Sequence, residues 1–351
     1  MSAVSQIGRR DARCRSPLRA IAGAAFATFT CIAGVAAADL PPGGGFSLPI
    51  ACTIERDCWI MNYPDMDRTS AVRDPQCGPR SYDGHTGTDI AIRDLATMRA
   101  GVPVLAAADG RVRNVRDGMA DRFIDEAGIA ALHGRDCGNG VVIEHGDGWE
   151  TQYCHMRRGS IAVRPGETVR RSQRLGFVGL SGRTAFAHVH LSVRQDGADL
   201  DPMTGRKVGS GCSEHGGADT LWSTAEVARY EPGALYAAGF APGPVAEAGL
   251  KDNAASPAAL PSDAPALVLW ATLFGVRAGD RVTIEIRGPD GTTLHRHAAV
   301  VDRDQAWRLV FSGLRRKAAA WPTGRYRGEA TLHRDGPGEL NQTRRVDLDI
   351  R

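Results

Sequence analysis

Residues 101–115 read GVPVLAAADGRVRNV. Two short apolar runs, 102–107 and 110–115, flank Asp109-Gly110, a dipeptide that favours a tight hairpin turn because both residues tolerate a positive φ. Residues 140–145 and 149–155 repeat the pattern around Gly146-Asp147-Gly148, and Pro165-Gly166 marks another turn. Runs at 88–92, 175–178 and 189–193 complete a set of short strands joined by glycine-bearing turns. One stretch, 121–132, carries Phe123, Ala127, Ala130 and Ala131 at roughly helical spacing and reads as a helix in an inserted loop. Residues 81–205 are therefore expected to form an antiparallel β domain.

Outward from this block the texture changes. Residues 39–80 hold three cysteines and little periodicity, and read as a stapled, loop-rich collar. Residues 206–262 are irregular, with Gly, Ala and Pro dominating 233–261, as expected of a linker. From 263 to 351 the β pattern returns. Residues 267–274 are apolar, Val282, Ile284 and Ile286 alternate, and Pro289-Asp290-Gly291 turns the chain. Strands at this spacing predict a small C-terminal β-sandwich of immunoglobulin-like type, with Trp270, Ile284 and Trp307 as candidate core members. The fold class expected is mainly β.

A chain of 351 residues suits two domains, each able to bury its own core. The net charge of +3 is small, and no basic run is interleaved with aromatics, so nothing calls for nucleic acid. The N-terminus is expected to be a signal peptide covering residues 1–38. Arg9, Arg10, Arg13, Arg15 and Arg19 form a positive segment, residues 20–35 are apolar, and Ala36-Ala37-Ala38 supplies a small-residue cleavage site. That predicts export to a periplasmic or extracellular location, with no stable membrane span after cleavage. Six cysteines remain beyond the signal: Cys52, Cys58, Cys77, Cys137, Cys154 and Cys212. An even number in an exported chain points to disulfides. Cys137 and Cys154 lie near the open end of the 140–155 hairpin and are expected to pair. The other four allow three pairings.

Chemistry concentrates in three histidine-bearing segments. In Gly84-His85-Thr86-Gly87-Thr88-Asp89 the two glycines argue against a helix, and in an extended segment His85 and Asp89 face the same way. In Ala187-His188-Val189-His190-Leu191 a strand would project both histidines from one face and send Val189 and Leu191 into the core. Imidazole nitrogens and a carboxylate oxygen suit Zn2+, and three protein ligands leave a fourth position open for chemistry. The third segment, Gln152-Tyr153-Cys154-His155-Met156, says little alone.

Taken in order, His85-x-x-x-Asp89, Tyr153-x-His155 and His188-x-His190 resemble the motifs of the lysostaphin-type (M23, LytM-like) zinc endopeptidases. Residues 101–115, 140–155 and 163–182 (VRPGETVRRSQRLGFVGLSG) resemble that family's strands and turns. The resemblance covers about residues 80–202 and leaves out the collar and the C-terminal domain. It implies an antiparallel β metallopeptidase domain with zinc held by His85, Asp89 and His190. It implies catalytic roles for the unliganded His155 and His188 beside the metal, in proton transfer and oxyanion stabilisation. The substrate implied is peptide in peptidoglycan stems or cross-bridges. The alternative is a non-catalytic regulator of other wall hydrolases, as in relatives that have lost ligands; the five intact positions oppose it. A lipoyl-type carrier fails, since no lysine precedes Lys207 to receive a cofactor. His295-Arg296-His297 copies the His-x-His spacing, but no His-x-x-x-Asp precedes it in the C-terminal domain. That domain is expected to have no catalytic centre and a binding or positioning role, its partner open.

Overall fold

The computed structural model describes residues 41–351 except 42, 125, 215–218, 226, 228, 246–249, 251–256 and 337. The expected signal segment lies outside the described residues. Among those described, no helix is long and apolar enough to cross a membrane.

The first part of the chain carries strands β1 (Cys58–Asn62) and β2 (Thr88–Ile92), helix α1 (Leu95–Ala100), and strands β3 (Pro103–Leu105) and β4 (Gly110–Arg116). Helix α2 (Glu126–Ala130) follows, then β5 (Asn139–Gly146), β6 (Trp149–Met156), β7 (Thr168–Val169), β8 (Arg174–Phe177), β9 (His188–Gln195) and β10 (Ala198–Leu200). One sheet runs β1-β2-β9-β6-β5-β4-β7, with β10 paired to β9, and β3 pairs β8 separately. Every pairing is antiparallel. Val141, Ile143, Tyr153, Val189, Leu191 and Val193 point from the sheet into a core that excludes solvent.

The turn at 146–148 forms the expected hairpin between β5 and β6, with positive φ at Gly146, Asp147 and Gly148. The one at 109–110 does not. β3 and β4 belong to different sheets, and neither Asp109 nor Gly110 has the positive φ that a two-residue hairpin requires. Gly110 serves a close approach instead: a Cβ there would stand 2.5 Å from the carbonyl oxygen of Glu144. The expected helix at 121–132 shrinks to α2. Helix α1 was not foreseen, although Asp94 caps it by accepting from Thr97 N at 2.7 Å and Gly101 ends it at φ 96°. The collar contains a strand, β1, and is tied down by Cys52–Cys58 and by Cys77–Cys212. Cys137 pairs with Cys154, as the hairpin suggested.

The second part holds β11 (Ala234–Ala241), β12 (Ala259–Leu260), β13 (Ala266–Val276), β14 (Arg281–Arg287), β15 (Thr293–Val300), β16 (Gln305–Arg315), β17 (Gly324–Arg334) and β18 (Leu340–Ile350). A three-stranded sheet, β11-β13-β16, shares a core with a five-stranded sheet, β12-β18-β17-β14-β15. β11 falls inside the stretch read as linker. It pairs with β13 over most of its length, so that stretch contributes a structural strand.

β13 explains how the two parts meet. All eleven of its residues are buried. Leu267, Leu269, Ala271 and Leu273 enter the sandwich core with Ile284. Phe274, from the other face, packs with Trp59 and Met61 of β1 and Ala91 of β2. Trp270 and Trp307 also belong to this outer side rather than to the sandwich core expected for them. Alternation puts successive side chains on opposite faces, so a strand covered on both sides reads as one continuous apolar run. Rings bridge the seam: Tyr236 lies edge-on to Trp59 with centroids 4.7 Å apart and meets Phe274 at 4.7 Å. The Tyr236 hydroxyl donates to the carbonyl of Ile92 at 2.7 Å.

Phe274→Ala should therefore destabilise the protein by about 3–5 kcal/mol, the usual cost of deleting a fully buried ring. Denaturant unfolding measures this; a loss below about 1 kcal/mol would mean that the seam does not hold the two parts together.

Candidate metal centre

β2 and β9 lie side by side with Asp89 opposite His190 and Ala91 opposite His188. On the other side of β9, Cys154 of β6 stands opposite His190, and His155 follows it. His85 comes from the loop before β2. Gly87 lets that loop close: a Cβ there would sit 2.5 Å from both His190 Nε2 and the Leu191 carbonyl oxygen. All five histidine and aspartate positions singled out in the sequence thus converge on one cleft of about 580 Å³, which Tyr82 and Arg183 also line.

Three donor atoms meet there. His85 Nε2 is 3.1 Å from Asp89 Oδ1 and 3.1 Å from His190 Nδ1, and His190 Nδ1 is 2.8 Å from Asp89 Oδ1. Donors held tetrahedrally by zinc stand roughly 3.3 Å apart, so this triangle is close to one face of such a shell. Each group is engaged from behind. His85 Nδ1 donates to the Tyr63 carbonyl at 2.7 Å, and His190 Nε2 bonds the Ser192 hydroxyl at 3.0 Å. Asn62 Nδ2 donates to Asp89 Oδ2 at 2.9 Å. A neutral imidazole that donates from one nitrogen presents a bare lone pair at the other. With both rings neutral, two such lone pairs and a carboxylate oxygen face one point where a divalent cation would sit, so the donor set fits zinc. Cys52, Asp57 and Cys58 also cluster, but their sulfurs are joined in a disulfide.

His155 and His188 flank the triangle, with ring centroids 4.6 Å apart. His155 Nδ1 donates to the Ser181 carbonyl at 2.8 Å and His188 Nδ1 to the Phe186 carbonyl at 2.9 Å. Both Nε2 atoms are left free of those bonds, and His188 Nε2 lies 3.3 Å from Asp89 Oδ1. His155 takes a positive φ of 60°, uncommon outside glycine, and its amide donates to the Cys137 carbonyl at 2.8 Å. The Cys137–Cys154 bridge fixes the chain on either side of that bond.

Burial, reinforced by His188 and His190, holds His155 well below the usual imidazole range, and burial also lowers His190. Burial opposes charge on Asp89, yet the attraction of His85 and His188 outweighs it and keeps the carboxyl well below its ordinary value. Burial acts against protonation of His85 too, but Asp89 reverses the balance and raises it.

The sequence reading missed Asn62, Tyr63 and Ser192. Ser192 was legible, two residues beyond His190 on the same strand face. Asn62 and Tyr63 depend on the pairing of β1 with β2, which the aperiodic collar does not announce. His145 is buried and structural, bonding the Asp109 carbonyl and the Thr151 hydroxyl, each at 2.7 Å. His295 bonds Ser312 Oγ at 2.7 Å, and His297 is exposed.

Residues 83–202 match the model of peptidase family M23, and this segment contains all five site residues. It is an M23 peptidase domain, as its motifs suggested. Peptidoglycan DD-endopeptidase ShyA of Vibrio cholerae is 32% identical over 119 residues, which span 34% of this chain and 22% of that one. DD-carboxypeptidase/endopeptidase Mpg of Neisseria meningitidis is 33% identical over 125 residues, with the same coverage of 34% and 22%. The match thus spans about a fifth of these relatives' length. A solved zinc-containing peptidase from Vibrio cholerae is 25% identical, covers 45% of this chain and 39% of that one, and has a TM-score of 0.31.

The donor set predicts about one zinc ion per chain. His190→Ala should abolish stoichiometric binding. Elemental analysis decides it: a full zinc complement in that variant would overturn the ligand assignment.

Proposed function

We propose that the protein is an exported zinc metalloendopeptidase that hydrolyses peptide bonds in peptidoglycan stems or cross-bridges. The observation that carries this reading is the triangle of His85 Nε2, Asp89 Oδ1 and His190 Nδ1, each anchored from behind, in a cleft that holds two further histidines. Zinc at these three residues would supply Lewis acidity, polarising a peptide carbonyl and acidifying an attacking water.

The chain's own groups do the rest. His155 and His188 each spend Nδ1 on a main-chain carbonyl, which aims Nε2 and sets the tautomer. A neutral His155 is a competent acceptor for the proton of the attacking water. The second imidazole, when it carries a proton, donates to the oxyanion that develops on the scissile carbonyl and then to the leaving amine. Arg183 lines the same cleft and offers a guanidinium to a substrate carboxylate. Three disulfides suit an oxidising compartment outside the cytoplasm, where the wall substrate lies. The peptidoglycan DD-endopeptidase function named for ShyA supports the choice of substrate. The C-terminal sandwich, read as immunoglobulin-like, binds or positions rather than cuts.

His155→Ala and His188→Ala should each retain zinc and lose about 10²-fold or more in turnover. Digestion of purified peptidoglycan, with products read by mass spectrometry, provides the rate and the bond cut. Zinc binding by the wild type without any cleavage would replace this reading with the regulatory one. Loss of zinc from either variant would make that histidine a ligand.

A further inference from the structure

The match to family M23 begins at residue 83, yet two of the groups that hold the metal-facing residues precede it. β1 runs antiparallel to β2, and its register shifts between Ile60 and Asn62. The shift brings Asn62 opposite Asp89. From there the Asn62 amide donates to Asp89 Oδ2 at 2.9 Å, and both side chains are buried. Asp89 Oδ1 is left to face His85 and His190. The next residue, Tyr63, accepts from His85 Nδ1 at 2.7 Å and from Ser81 Oγ at 2.8 Å through its carbonyl. Its own amide donates to the Arg80 carbonyl at 2.8 Å, which fixes the direction of that peptide. Two consecutive residues of the collar thus hold two of the three donor groups.

We propose that Asn62 is a positioning residue of the metal centre. Its amide pins Asp89 so that one oxygen, Oδ1, is presented to the ion. The proposal rests on the reading that His85, Asp89 and His190 bind zinc. The chemistry favours an amide at this place. A carboxylate carries two equivalent oxygens, and a lone buried donor on one of them selects the other. The donor is neutral, so Asp89 keeps the negative charge that attracts a cation. A leucine of similar size would strand Oδ2 without a donor, and an aspartate would set a second acceptor and a second negative charge against it. The collar is on this account a component of the metal site, supplied by β1 at the edge of the same sheet.

The test compares the full chain with Asn62→Leu and Asn62→Asp. The zinc dissociation constant is read by competition with a chelator, and the melting temperature is recorded with and without zinc. Loss of an outer partner of a metal ligand typically weakens binding 10–100-fold, so the expected result is an increase of about that size in both variants. The zinc-dependent rise in melting temperature should shrink in parallel, because that rise follows the affinity. A purely structural role would instead lower the metal-free melting temperature and leave affinity unchanged. Wild-type affinity in either folded variant overturns the proposal while the zinc reading stands. A wild-type chain that takes up no zinc overturns the zinc reading itself. Asn62→Asp, nearly identical in shape, reports the result if Asn62→Leu does not fold.

Discussion

The antiparallel register of β2 against β9 governs the rest of the site. Asp89 faces His190 across that ladder, and Ala91 faces His188. A slip of one residue would turn the whole row of side chains to the opposite face. The register is held by apolar residues that alternate with the polar ones: Ile90, Val189 and Leu191 are fully excluded from solvent. It is also held by Gly87, where any side chain would collide with His190. β1 pairs on the outer side of β2 and adds Asn62 to the same row, while β6 sets Cys154 opposite His190 and brings His155 to the cleft through its positive φ. Core packing therefore sets the positions of Asp89, His188 and His190, and the connection between β1 and β2 adds His85.

The same sheet joins the two parts of the chain. β1 and β2 present Trp59, Met61 and Ala91 to the outer face of the sheet that contains β13. Strands that carry or support the donor residues are thus backed by the C-terminal sandwich. An apolar cavity of about 270 Å³ opens at this seam, lined by Phe186, Tyr236, Trp270 and Trp307, and it shares Asn62 and Tyr82 with the histidine-lined cleft.

Much of this was legible in the chain, for identifiable reasons. The His85-x-x-x-Asp89 and His188-x-His190 spacings depend on local geometry alone, because a strand sends alternate side chains to one face. The 146–148 turn and the Cys137–Cys154 pairing are likewise local. The failures are nonlocal. Asp109-Gly110 has the composition of a hairpin turn, yet the strands beside it find their partners in β8 and β5. β11 is rich in Ala and Gly, so its composition resembles that of a linker, and only pairing with β13 makes it a strand. Trp270 and Trp307 lie on strands expected to form the sandwich, yet they face its outer side. Nothing in the sequence said that the outer face would be covered as well. Asn62 was invisible for the same reason, since its role depends on a register shift in β1.

The central claim is that His85, Asp89 and His190 together hold one zinc ion. Anomalous diffraction measured on both sides of the zinc absorption edge tests it directly. The account predicts a single strong difference peak within bonding distance of His85 Nε2, Asp89 Oδ1 and His190 Nδ1, with His155 and His188 beside it but not bound. A peak ligated by His155 or His188 in place of any of the three, or no zinc peak in protein purified with zinc present, would contradict it.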